Sequence, residues 1–180
     1  MKKYAVIVAG GSGTRMKSSV PKQFMLVHDK PVLWYSLECF LRAFGDLKII
    51  LVIPKEFEKE AQTVTSQTSA PSRIERVYGG VTRFDSVKQG LAKTEGTSII
   101  FVHDAVRCMV SQDLIQRCYW QAMAKGSASP AIPLTDSVRL MEGETTKPLD
   151  RSRLLAVQTP QTFRSEIILP AFQQEYKAEF

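Results

Sequence analysis

Short continuous apolar runs alternate along the chain with longer stretches whose apolar positions recur every three to four residues. Residues 4–8 (Tyr-Ala-Val-Ile-Val) read as a strand that Ala9-Gly10-Gly11-Ser12-Gly13 breaks. Pro31 suits a first helical turn, and Val32, Leu33, Leu37, Phe40, Leu41 and Phe44 then share one helical face until Gly45. Residues 49–53 and 98–102 are near-continuous apolar runs, the pattern of strands buried on both faces of a parallel sheet. Residues 55–66 predict a helix and residues 74–78 a weaker strand. After the Gly79-Gly80 turn, Thr82 and Asp85 form a capping pattern, with Val87 and Leu91 following at helical spacing. Ser111 is a good N-cap for a helix carrying Leu114, Ile115, Cys118, Tyr119, Ala122 and Met123 on one face. Residues 128–134 predict a strand weakened by Pro130 and Pro133.

This alternation predicts a Rossmann-like α/β fold, a mostly parallel sheet flanked by helices. Residues 135–157 interrupt it and predict a protruding β-hairpin arm. Residues 137–141 form one side, 142–144 the tip, and 154–157 part of the return. Val138, Leu140 and Met141 would be costly if exposed on so short an arm, which favours a homodimer. Residues 165–180 predict a helix broken or kinked at Pro170, with Ile168, Phe172 and Tyr176 spaced every four residues. With no internal repeat or linker, residues 1–180 are expected to form a single domain.

Composition narrows the functional classes. With 180 residues and 44% of them hydrophobic, the chain can bury a core without staples and is too apolar for intrinsic disorder. No apolar run approaches the roughly 20 residues of a membrane span, and no secretory leader is expected. Cys39, Cys108 and Cys118 lack C-x-x-C spacing, and His28 and His103 are the two histidines. Neither a disulfide framework nor a protein-held metal is expected, and reduced thiols fit a cytoplasmic location. The net charge of +6 is concentrated: residues 1–30 hold six basic residues (Lys2, Lys3, Arg15, Lys17, Lys22, Lys30) against Asp29, which is +5. Two readings stay open, a solubilising terminus and an anion site. The interleaved basic and aromatic pattern of a nucleic-acid surface is weak.

The loop Ala9–Met16 favours the anion site. Its three glycines let the backbone approach a ligand and turn N–H groups toward it. It is not a G-x-G-x-x-G fingerprint, because Met16 stands where the third glycine belongs, and no glycine is followed by the Lys-[Ser/Thr] of a P-loop. Arg15 and, after Pro21, Lys22 could neutralise a triphosphate and the charge that develops during phosphoryl-type transfer.

Ala9-Gly10-Gly11-Ser12-Gly13-Thr14-Arg15-Met16 with Pro21-Lys22-Gln23-Phe24 resembles the signature of sugar-phosphate nucleotidylyltransferases. More narrowly, it resembles that of the 2-C-methyl-D-erythritol 4-phosphate cytidylyltransferases. Further matches follow in order: Gly79-Gly80-x-x-Arg83-x-x-Ser86-Val87, His103-Asp104-Ala105-x-Arg107, Asp136-Ser137, Asp150-Arg151 and Gln158-Thr159-Pro160-Gln161. The resemblance implies cytidylyl transfer from CTP to methylerythritol phosphate, with Mg²⁺ bound mainly through the CTP phosphates and a homodimer joined by the arm. It implies that Arg15 and Lys22 stabilise the transition state. Ala9, Gly10, Gly11 and Gly13 would line the nucleotide, and Gly80 and Ser86 would read the cytosine. Asp104, Ala105, Arg107, Ser137, Arg151 and Thr159 would hold the acceptor. His103 is expected to be structural rather than a general base, and Arg107 either binds substrate or pairs with Asp104.

Three positions depart from the family pattern: Ser137 replaces threonine, Cys108 stands where proline is common, and Val81 stands where a polar residue can meet the base. The family pattern continues past residue 180 into a segment whose lysine helps bind triphosphate, so the far side of that site is expected to be missing. Ribitol-5-phosphate cytidylyl transfer is the alternative reaction. A non-catalytic nucleotide-binding or interaction module is the alternative from another class.

Overall fold

The computed structural model describes residues 1–10 and 20–176. Its first half comprises β1 (Lys2–Val8), β2 (Leu26–Val27), β3 (Lys30–Pro31), α1 (Val32–Ala43), β4 (Lys48–Ile53), α2 (Glu58–Ser66), β5 (Ile74–Tyr78) and α3 (Arg83–Leu91). Then come β6 (Ser98–Asp104), α4 (Gln112–Lys125), β7 (Ser127–Ala128), β8 (Ala131–Pro133), β9 (Val138–Glu142), β10 (Thr145–Leu149), β11 (Leu155–Val157), β12 (Gln161–Arg164) and α5 (Ser165–Ala171). The main sheet runs β5-β4-β1-β6-β12-β7. Its first four strands are parallel; β12 enters antiparallel to β6, and β7 antiparallel to β12.

The continuous apolar runs follow from burial on both faces. Along β1, Ala5 and Ile7 enter one core while Tyr4 and Val6 enter the other; β4 and β6 alternate in the same way. On one side, Leu33, Leu37, Phe40 and Leu41 of α1 and Ile115, Tyr119 and Ala122 of α4 cover the sheet. On the other, Val87 and Leu91 of α3 and Ile168 of α5 do so. Gly90 permits α3 to lie close: a Cβ there would stand 2.5 Å from Val6 Cγ1. Arg73 closes the end of α1, its guanidinium donating to the carbonyls of Leu41 at 2.9 Å and Phe44 at 2.8 Å.

Strand order reverses at β1: β4 and β5 extend to one side and β6 to the other. Such a switch point opens a crevice beyond the carboxyl ends of the strands. Here Val8 of β1 stands in register with Asp104 of β6.

The arm differs from its expected form. Its return strand is β10, not residues 154–157, and β10 pairs with β9 across the two-residue turn Gly143-Glu144. Gly143 sits at φ +64° and turns the chain straight back. β10 carries Pro148, which a two-stranded ribbon tolerates because it has two outer edges. Residues 155–157 instead pair as β11 with β8, making a second ribbon at the base of the arm. The strand expected over 128–134 splits at Pro130 between the main sheet and this ribbon.

The helix expected over 165–180 ends at Ala171, one residue after Pro170; residues 172–176 are not helical, and residues 177–180 lie outside the described residues. Phe172 stacks on Phe84 with ring centroids 4.7 Å apart, and Tyr176 joins at 5.7 Å. Among the described residues no helix is long and apolar enough to cross a membrane.

Candidate active site

The loops leaving β1, β5 and β6 at the carboxyl edge of the sheet are each tied to a neighbouring strand. Ala9 N–H donates to Val52 O at 2.8 Å, Gly79 N–H to Ile53 O at 2.9 Å and Ala105 N–H to Val8 O at 3.0 Å. The Ala9 carbonyl accepts a 2.8 Å bond from Nε2 of the buried Gln23. Gln23 belongs to a 3₁₀ turn, Lys22–Phe24, so it fixes the backbone of half-buried Lys22 beside the end of β1. Lys22 makes no ion pair among the described residues.

The second loop is shaped by lack of space. A Cβ on Gly80 would lie 2.3 Å from Asp85 Cβ, and one on Gly79 2.7 Å from Ser86 Oγ. Ser86 Oγ is buried and accepts the Gly80 N–H at 3.2 Å; Gly10 lies against the same hydroxyl. A capping box holds this turn: Asp85 N–H donates to Thr82 Oγ1 at 3.0 Å, and Thr82 N–H to Asp85 Oδ2 at 3.1 Å.

Charge gathers at the third loop. Asp104 Oδ1 accepts from Arg83 Nε and Nη2 at 3.1 and 3.0 Å, and its Oδ2 accepts from Arg107 Nε at 3.1 Å. Burial pushes the Asp104 carboxyl upward, but the two arginines outweigh it and hold its pKa below the usual value. Arg107 Nη1 also donates to Gln158 Oε1. The neighbouring Thr159 hydroxyl accepts the Asp104 N–H at 3.4 Å and shares a 2.9 Å hydrogen bond with His103 Nδ1. His103 is fully buried, and burial pushes its pKa down to about 4. It faces the Phe40 ring, 5.0 Å between centroids.

A family model described as 2-C-methyl-D-erythritol 4-phosphate cytidylyltransferase (IspD) matches residues 4–180. The chain belongs to that family. A relative of that name from Azobacteroides pseudotrichonymphae is 39% identical over 171 residues, 95% of this chain and 77% of its own. Another, from Porphyromonas gingivalis, is 40% identical over 179 residues, covering 99% of this chain and 80% of its own. The crystal structure of the 4-diphosphocytidyl-2C-methyl-D-erythritol synthase from Anaerococcus prevotii superposes with a TM-score of 0.84 at 26% identity, covering 99% of this chain and 78% of that one.

The IspD-type motifs thus fall largely on one edge of the sheet. The structure gathers Ala9, Gly10, Gly80, Ser86, Asp104, Ala105, Arg107 and Thr159 there. Gly11, Gly13 and Arg15 lie outside the described residues. Ser137 and Arg151 are exposed on the arm, where Arg151 donates to the Thr135 carbonyl. The pairing of Arg107 with Asp104, left open by the sequence, is formed. Val81 is fully exposed. Gln23, Arg83 and Gln158 were not singled out as site residues, although all three stood inside the motifs; their value lies in contacts that spacing does not show.

The N-terminal charge also separates. Lys2 pairs with Glu95 at 3.0 Å, Lys3 with Asp46 at 2.7 Å, and Lys30 lies over the Trp34 ring. Lys2 and Lys3 sit at the opposite end of β1 from Ala9, about 20 Å away at strand rise. Lys22 is therefore the described cation of that group placed at the crevice.

The two carboxylates flanking these loops are already engaged: Asp85 in the capping box and Asp104 between arginines. Among the described residues no three His, Cys, Asp or Glu side chains are grouped to hold a metal ion. These residues do not make a magnesium cage of their own.

Proposed function

We propose that residues 1–180 act as one nucleotidyltransferase domain that transfers the cytidylyl group of CTP to 2-C-methyl-D-erythritol 4-phosphate. The products are 4-diphosphocytidyl-2-C-methyl-D-erythritol and pyrophosphate, in non-mevalonate isoprenoid precursor synthesis. The observation that carries this reading is the family match across residues 4–180.

The acceptor phosphate attacks the α-phosphorus of CTP in line, and pyrophosphate leaves. That phosphate is already ionised at neutral pH, so no general base is needed, and catalysis is positioning plus charge stabilisation. Arg15 and Lys22 take the transition-state role. Ala9, Gly10, Gly11 and Gly13 line the nucleotide, and Gly80 and Ser86 read the cytosine edge through backbone and hydroxyl groups. Asp104, Ala105, Arg107, Ser137, Arg151 and Thr159 hold the acceptor. His103, fully buried and bonded to Thr159, supports the acceptor loop rather than the chemistry. Mg²⁺ enters as the ion of the CTP phosphates. The working form is a cytoplasmic homodimer joined through the arm, supported by the exposed side chains of Ile132, Leu140, Met141, Leu155 and Val157.

Pyrophosphate release is measured with CTP and either methylerythritol phosphate or ribitol 5-phosphate. Turnover with methylerythritol phosphate is expected. Turnover confined to ribitol 5-phosphate, or none with either, overturns the reading.

A further inference from the structure

Arg83 opens α3 and stands one turn before Ser86. Residues three apart lie on neighbouring positions of a helix face. One turn of helix therefore holds two separate parts of the crevice: Ser86 Oγ grips the Gly80 N–H, and Arg83 grips Asp104 Oδ1 through two N–H groups. The other carboxylate oxygen passes the contact to Arg107, and Arg107 passes it to Gln158, next to Thr159. Polar contacts joined through the first turn of α3 thus link the base-reading loop to the acceptor loop. The fold has little need of this link. The Arg83 side chain is 52% exposed, and the less exposed Asp104 keeps Arg107 as a partner without it, so the fold loses little with Arg83.

We propose that Arg83 is a positioning residue that couples nucleotide binding to acceptor binding through the Asp104 carboxylate. The inference rests on the functional reading above. A cytosine seated against Gly80 and Ser86 bears directly on the capped first turn of α3, whose backbone carries Arg83. The half-exposed arginine then loses its freedom to the nucleotide, and the acceptor meets an Asp104–Arg107 pair already ordered. By linkage, the acceptor strengthens nucleotide binding by the same factor.

The test is isothermal titration of the 180-residue chain with methylerythritol phosphate, alone and with saturating α,β-methylene-CTP and Mg²⁺. In the wild-type chain the analogue should tighten acceptor binding about 10-fold. In Arg83→Gln that ratio should fall to about 1, with the melting temperature unchanged. Lys88→Gln, which removes the same charge from the same helix, should keep the wild-type ratio. A purely structural role for Arg83 would weaken both affinities and leave the ratio intact, which overturns the proposal, as does a wild-type ratio near 1. A wild-type chain that binds neither ligand overturns the functional reading itself, and the coupling with it.

Discussion

The edge of the sheet and the arm are built on opposite principles. At the edge, the backbone leaving β1, β5 and β6 is tied to an adjacent strand, and Ala9, Ser86, Ala105 and Thr159 are all buried. The arm is a pair of two-stranded ribbons with mostly exposed side chains, held within itself by contacts such as Arg139 to Thr146 Oγ1 at 2.7 Å. An isolated two-stranded ribbon is marginal in water. The half of the site proposed to hold the nucleotide is therefore preorganised by the core. Ser137 and Arg151 are only as fixed as whatever the arm packs against.

The largest effect should come from the preorganised side. Lys22 is half-buried without an ion-pair partner among the described residues, on a turn that buried Gln23 clamps to Ala9. The backbone that carries its charge is placed in advance, which favours a donor that acts on the transition state more than on the ground state. Lys22→Ala should lower turnover roughly 100- to 1,000-fold, about 3–4 kcal/mol, and change CTP affinity less than about threefold. Pyrophosphate-release kinetics beside CTP titration separate the two quantities. Equal turnover in both proteins would remove the lysine from the mechanism.

Next comes the support beneath the loop proposed to hold the acceptor. Burial lowers the His103 pKa from 6.5 to about 4. The unfolded chain therefore binds a proton that the folded chain refuses, and stability rises with pH across this window. The contribution is complete above pH 6.5 and is lost as pH falls to about 4. It amounts to about 3 kcal/mol. In denaturant titrations, the stability advantage of wild type over His103→Asn should shrink by about that amount across the window. A constant difference would mean that the imidazole is not held neutral by burial.

Two glycines sharpen the contrast further. Gly80 is limited by space: a Cβ would lie 2.3 Å from Asp85 Cβ, inside the capping box. Gly80→Ala should cost roughly 2 kcal/mol or displace the loop and lower CTP affinity about tenfold. Gly143, at the tip of the arm, has open space around it but a φ of +64°. Gly143→Ala should cost about 1 kcal/mol through backbone strain and leave CTP binding unchanged. Thermal melts and CTP titration of both variants decide the matter. A loss of CTP binding from the tip variant would show that the two regions are one unit.

What could be read from the sequence follows the same division. The central parallel strands announce themselves because both their faces are buried, so residues 49–53 and 99–102 stay apolar without a break. β12 does not, because Gln161-Thr162-Phe163-Arg164 offers one large apolar side chain. The β2–β3 hairpin turns on His28 and Asp29 at φ 45° and 62°, without the glycine that usually marks such a turn. In the arm, the apolar residues 154–157 argued for a return that is really the base ribbon. At the site, glycines and cations could be read as types in a pattern. The contacts of Gln23, Arg83 and Gln158 could not, because each joins segments at least 14 residues apart.

The smallest expected change in stability tests the arm directly. The side chains of Met141 and Leu155 are 75% and 61% exposed, so a single chain gains little from them. Met141→Ser with Leu155→Ser should therefore alter the stability of the isolated chain by less than about 0.5 kcal/mol. If a second copy covers these residues, the same pair of changes removes apolar area that only the dimer buries. Sedimentation velocity over a concentration series should then show a dimer for the wild type and a shift toward monomer for the variant. Methylerythritol phosphate should bind the variant more weakly, because Ser137 and Arg151 lose their support, while CTP affinity stays put. A variant that is strongly destabilised yet unchanged in association would mean that the arm packs on its own chain, and the contrast between a preorganised edge and a partner-dependent arm would not hold.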